Sequence, residues 1–118
     1  MTVYLLHPVG APTPEGVKAN LARAKRWAAW LMKSRPNDTI LASWMLYVEC
    51  LEDSNLAERR RGIRDSCRVI RSGFVTEVVA AGGRISPGME EEITVATEAK
   101  VKITDLSELG EEPPEVKP

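Results

Sequence analysis

The chain has few of the residues that build metal sites and covalent cross-links. Its two cysteines, Cys50 and Cys67, show no CxxC or Cys/His spacing, and the single histidine, His7, lies far from both in sequence. A zinc site is therefore not expected, no metal or other cofactor is called for, and reduced thiols in a cytoplasmic setting are the default. A surplus of positive charge is also missing: sixteen Lys and Arg face seventeen Asp and Glu, a formal net charge of −1. Without a basic footprint for a phosphate backbone, a nucleic acid polymer is not an expected partner. No basic segment leads into an apolar run with a cleavage site, and no stretch approaches the roughly eighteen apolar residues of a membrane span. Neither a membrane nor a leader is expected. Internal repeats and long heptad runs are absent too.

What remains is one chain of 118 residues, enough to enclose a hydrophobic core without disulfide or metal support. Residues 2–6, TVYLL, form a β-rich apolar run stopped by His7, Pro8 and Gly10. Thr13 is placed to cap a helix with Pro14 at its first position, and Val17, Leu21, Ala24, Ala28 and Leu31 trace one face of it. The helix should stop before Arg35-Pro36, and a second β-like run follows from Thr39 to about Trp44.

Beyond an ambiguous stretch from Leu46, Asp53-Ser54-Asn55 suits the cap of a charged helix through Arg59, Arg64, Asp65 and Ile70. Ser72-Gly73 breaks that helix, and Phe74–Ala81 reads as a third strand ending at Gly82-Gly83. A last helix opens at SPGMEEE, and Lys100–Leu106 is a fourth strand candidate. This alternation predicts an α/β fold, a Rossmann-like or flavodoxin-like three-layer sandwich with a parallel sheet of four to five strands. The domain should span 1–109, and the proline- and charge-rich 110–118 reads as a flexible tail.

In such sheets ligands sit beyond the carboxyl ends of the strands, here the loops after Leu6, Trp44 and Ala81. Only the third is glycine-rich and leads straight into a helix, where Ser86 is the candidate cap and free N–H groups favour an anion. Three glutamates follow in a row, and helical geometry separates them. Met89, Ile93 and Ala96 form an apolar stripe on which Glu92 falls, whereas Glu90 and Glu91 align with more polar neighbours. A carboxylate on a core-facing stripe costs several kcal/mol of desolvation unless compensated, against roughly 0.3–1 kcal/mol regained at a helix N-terminus. Two readings stay open: a functional carboxylate, or acidic residues crowding a first helical turn.

YLLHP near the start, IRDSCRVI in the middle and GGRISPGMEEEITVA together resemble the nucleoside 2-deoxyribosyltransferase family and its small relatives, over the chain to about Leu106. The resemblance implies a glutamate nucleophile four residues after a loop glycine, the spacing of Gly88 and Glu92. It implies further that Tyr4 holds this carboxylate and that Asp65 lines the nucleoside site. Both have plainer readings, Tyr4 as a core aromatic and Asp65 as a surface ion pair with Arg61 or Arg64.

Where transferases carry an aspartate six residues before the nucleophile, this chain has Ser86, which is similar to the hydrolases that cleave 2′-deoxynucleoside 5′-monophosphates. The implied activity is cleavage or transfer of the N-glycosidic bond of a (deoxy)nucleoside or its 5′-monophosphate; the alternative is a non-catalytic nucleotide-binding or sensing module. His7, Gly10, Trp44, Gly83, Ser86, Gly88 and Met89 are the candidate substrate contacts, with a structural His7 and a core or interface Trp44 as the competing readings. A homo-oligomer is also implied, because family members complete the pocket from a neighbouring subunit.

Overall fold

The computed structural model describes residues 1–115, so the last three residues of the expected tail lie outside the described residues. In chain order the elements are β1 (Thr2–Leu6), α1 (Pro14–Ser34), β2 (Thr39–Leu41), α2 (Trp44–Cys50), α3 (Leu56–Arg71), β3 (Glu77–Ala80), α4 (Pro87–Glu98) and β4 (Lys102–Asp105). All strand pairs are parallel, in the order β2-β1-β3-β4. The expected α/β sandwich is therefore present, with four strands in its sheet. Its order matches the start of the flavodoxin-like arrangement, whose switch point lies between β1 and β3.

Burial on both faces explains the unbroken apolar run of β1. Val3 and Leu5 pack with Trp27, Ala28 and Leu31 of α1. Tyr4 and Leu6 turn the other way, toward Ile70 of α3 and Met89 and Ala96 of α4. Helix α1 begins where Thr13 accepts from the Gly16 amide at 3.1 Å and ends as Arg35 enters the turn before Pro36. The described part of the tail is tied to this helix. Trp27 donates its indole N–H to the Glu111 carbonyl at 2.7 Å, and Arg26 pairs with the Glu112 carboxylate.

Three boundaries differ from the sequence expectation, each for a tertiary reason. Strand β2 stops at Leu41 and does not reach Trp44, because Ser43 takes helical angles and Trp44 opens α2. The Trp44 indole donates to the Leu5 carbonyl at 2.8 Å, a group on the β2 side of β1 that a longer β2 would have engaged. Strand β3 starts at Glu77, opposite Val3, so Phe74 has no partner strand and is exposed. Strand β4 starts at Lys102, since the chain turns at Lys100 with φ 60° after α4.

One buried charge sits at the lower end of the sheet. Glu77, 2% exposed, accepts from Arg35 at 2.6 and 3.2 Å and from the Thr104 hydroxyl at 2.6 Å. Those donors, the guanidinium first, hold the Glu77 carboxyl below the usual glutamate range against the opposing effect of burial.

Candidate functional site

At the carboxyl ends of β1 and β3, on the α3/α4 side of the sheet, a cleft opens to solvent. Its walls come from the loop after β1 (His7, Val9, Gly10), from α2 and the turn after it (Trp44, Tyr47, Asp53), from α3 (Arg59, Ile63, Ser66) and from α4 (Ser86, Gly88, Met89, Glu92). Helix α4 enters as its sequence dictates. Pro87 occupies the first position, and the Ser86 hydroxyl accepts from the Met89 amide at 3.3 Å. From that start the helical period turns Met89, Glu92 and Ala96 inward and leaves Glu90 and Glu91 exposed.

Glu92 is 7% exposed, and its burial raises the carboxyl pKa to about 8. The Ser66 hydroxyl opposes that rise by favouring the ionised form, while Glu91 on the same helix adds to it. Around neutrality the resting cleft therefore presents a protonated carboxyl. Behind it, Tyr4 is fully buried, with its hydroxyl 2.8 Å from Ser66 Oγ and 3.0 Å from Ser43 Oγ. Burial pushes the Tyr4 pKa up, so the phenol stays neutral. Tyr4 thus bonds to Ser66, which lines the cleft with Glu92 and is a residue the sequence reading did not single out.

His7 is 5% exposed, and its Nδ1 donates to the Pro8 carbonyl at 2.7 Å. Burial lowers its pKa to about 4, which makes the ring neutral and leaves Nε2 as an acceptor with no partner among the described residues. Gly82 packs against this edge with φ 104°, and a Cβ there would stand 2.6 Å from Nε2. Gly82→Ala is expected to cost about 2 kcal/mol or more, from the positive φ and the clash together. Urea unfolding of the pure protein reads this directly; an unchanged midpoint would contradict the geometry.

A family model described as "Domain of unknown function (DUF7768)" matches residues 1–106. The chain belongs to this family. No curated protein and no solved structure matches it. The DUF7768 match takes in all four strands and every residue lining the cleft, so the cleft is a feature of the domain itself.

Within the DUF7768 domain, seven of the singled-out residues meet at the cleft: Glu92, His7, Gly10, Trp44, Ser86, Gly88 and Met89. Gly83 does not. It is exposed and packs against Glu111, whose Cγ would lie 2.9 Å from an added Cβ. Nor does Asp65 line the cleft: it sits among Arg64 at 3.0 Å, Arg68 at 3.6 Å and Arg61 at 3.8 Å. Its link to the cleft is indirect, since the Tyr47 hydroxyl donates to it at 2.8 Å. Trp44 stands at the start of a helix, not at a strand end, and is held there by its indole bond.

At the rim, Glu52, Asp53 and Glu58 stand with Arg59. The Arg59 guanidinium lies over Gly10, 3.0 Å from where a Cβ would be, and makes no ion pair among the described residues. Among those residues no group of three His, Cys, Asp or Glu side chains is placed to hold a metal ion, and no helix is long and apolar enough to cross a membrane.

Proposed function

We propose that the chain cleaves or transfers the N-glycosidic bond of a (deoxy)nucleoside or nucleoside 5′-monophosphate, with Glu92 as the nucleophile. The observation that carries this reading is the placement of Glu92. A single buried carboxyl lines an open cleft at the switch point of a parallel sheet, backed by the Ser66 and Tyr4 hydroxyls. The resemblance of the surrounding residues to nucleoside 2-deoxyribosyltransferases supplies the substrate class.

The ionised carboxylate would attack C1′ of the sugar as the base departs with its bonding electrons. Positive charge on the sugar in the oxocarbenium-like transition state stabilises the carboxylate, so the ionised form is favoured when it is needed. Water or a second base would then displace Glu92 from C1′. His7 contributes a neutral ring to the cleft wall, with its Nε2 buried against Gly82. Arg59 is the rim cation available to a 5′-phosphate, and Glu52, Asp53 and Glu58 oppose that use.

A second reading, a non-catalytic nucleotide-binding module, is favoured by the burial of Glu92, which keeps its proton on around neutrality and lets the carboxyl donate a hydrogen bond. Incubation with a panel of deoxynucleosides and their 5′-monophosphates, with and without a free acceptor base, separates the two. Chromatography should show base release or exchange by the wild type and none by Glu92→Ala. No release, with a melting temperature raised by a panel member, would favour the binding module. Neither release nor a shift, in folded protein, would sink both.

A further inference from the structure

A chain of hydroxyls leads from the cleft beside Glu92 through the core to Ser43 at the start of α2, which is not among the residues lining the cleft. Ser66, 1% exposed, lines the cleft together with Glu92 and lies 2.8 Å from the hydroxyl of Tyr4. Tyr4, with no exposed surface, lies 3.0 Å from Ser43 Oγ, and Ser43 is exposed. Local structure accounts for neither serine. Ser43 occupies the cap position of α2, yet its angles are helical and its hydroxyl makes no capping bond. Ser66 stands inside α3 on the buried face, where alanine would be the better helix former and would bury no polar group.

We infer that Ser66, Tyr4 and Ser43 form a proton relay joining Glu92 to solvent at Ser43, outside the cleft lining. The inference rests on the proposed nucleophilic role of Glu92 and assigns the route by which it ionises under a bound substrate. A ligand seated against the carboxyl closes the direct exit into the cleft. Glu92 then gives its proton to Ser66 Oγ, the Ser66 proton passes to Tyr4, the Tyr4 proton to Ser43 and the Ser43 proton to water. Each hydroxyl breaks one O–H bond and forms one. The net change is one proton moved from Glu92 to solvent, which leaves the Glu92 carboxylate ionised and all three hydroxyls neutral.

The route matters only while Glu92 binds its proton before the ligand arrives, which sets the pH window. The groups facing Glu92 are Ser66 and Cys67 on α3, Tyr4 on β1, Glu91 on its own helix, and across the cleft His7, Glu52, Asp53, Glu58 and Arg59. Burial dominates among their effects and holds the proton on to about pH 8.

Ser43→Ala cuts the outermost link and leaves Glu92, Ser66 and Tyr4 in place. Base release from whichever panel nucleoside the wild type turns over is measured from pH 6 to 9, in H2O and D2O, with Ser43→Thr as the hydroxyl-retaining control. The relay requires a kcat loss on the order of ten-fold at the acid end, below the ~100-fold of removing a general acid or base outright. KM should be unchanged, the solvent isotope effect altered and the loss erased above pH 8, with Ser43→Thr close to wild type. An infrared titration of the Glu92 carboxyl should give the same midpoint in Ser43→Ala. Equal rates at every pH would overturn the relay and leave the nucleophile standing. No release by the wild type from any panel member would remove both.

Discussion

Replacing Glu92 with glutamine is expected to abolish base release and, at the same time, to stabilise the fold. A nucleophile has no substitute in its own step, so the activity should fall by roughly 1,000-fold or more. The gain in stability follows from linkage. Native Glu92 holds its proton to about pH 8, whereas the ordinary value is 4.5. Its favourable contribution is complete below pH 4.5 and is lost as the pH rises through about 8, because only the native chain keeps the proton in that interval. Glutamine removes the loss. Its advantage should be nil at pH 4 and reach roughly 3 kcal/mol at pH 7, or about ten degrees in melting temperature.

His7 works in the opposite direction. Its native pKa of about 4 lies below the ordinary 6.5, so its contribution is complete above pH 6.5 and is lost as the pH falls to 4. Together the two groups leave wild-type stability level between pH 4.5 and 6.5 and falling above that interval. In Glu92→Gln the fall should disappear and only the rise due to His7 remain. Thermal melts across pH 4 to 9 would show it. A variant no more stable than wild type at pH 8 would mean that Glu92 is not held protonated by burial.

The second large effect concerns the opposite end of the sheet. Arg35→Met should destabilise the chain by about 3–5 kcal/mol, because it leaves the Glu77 carboxylate buried with only the Thr104 hydroxyl to satisfy it. The penalty belongs to the stranded charge and not to lost attraction. The double variant Arg35→Met, Glu77→Gln should therefore recover most of the loss. Urea midpoints of the two single variants and the double variant decide this, and additive losses would contradict it.

How much of this was legible in the sequence depended on whether periodicity or tertiary contact decided the outcome. Strand β1, helix α1 and the start of α4 follow from apolar spacing and capping residues, and so does the inward turn of Glu92 beside Met89 and Ala96. The end of β2 was not legible, since it rests on the Trp44 indole reaching the Leu5 carbonyl across 39 positions of sequence. In α3 the resemblance pointed to Asp65, yet the residue facing the cleft is its neighbour Ser66. A signal for it was present: Ser66 lies three residues after Ile63 and four before Ile70, on the buried stripe, and one step back turns Asp65 to the arginine-covered edge. Tyr47 and Arg59 carry no such signal, because only the fold brings them to the cleft.

The most direct test of Glu92 as nucleophile is a covalent one. The protein is incubated with a 2′-deoxy-2′-fluoro nucleoside, whose fluorine slows turnover of a glycosyl intermediate by destabilising positive charge on the sugar, and is then analysed by intact mass and peptide mapping. A single fluorosugar adduct on the peptide containing Glu92, absent in Glu92→Gln, is the expected result. An adduct on another residue, or base release that persists undiminished in Glu92→Gln, would contradict it.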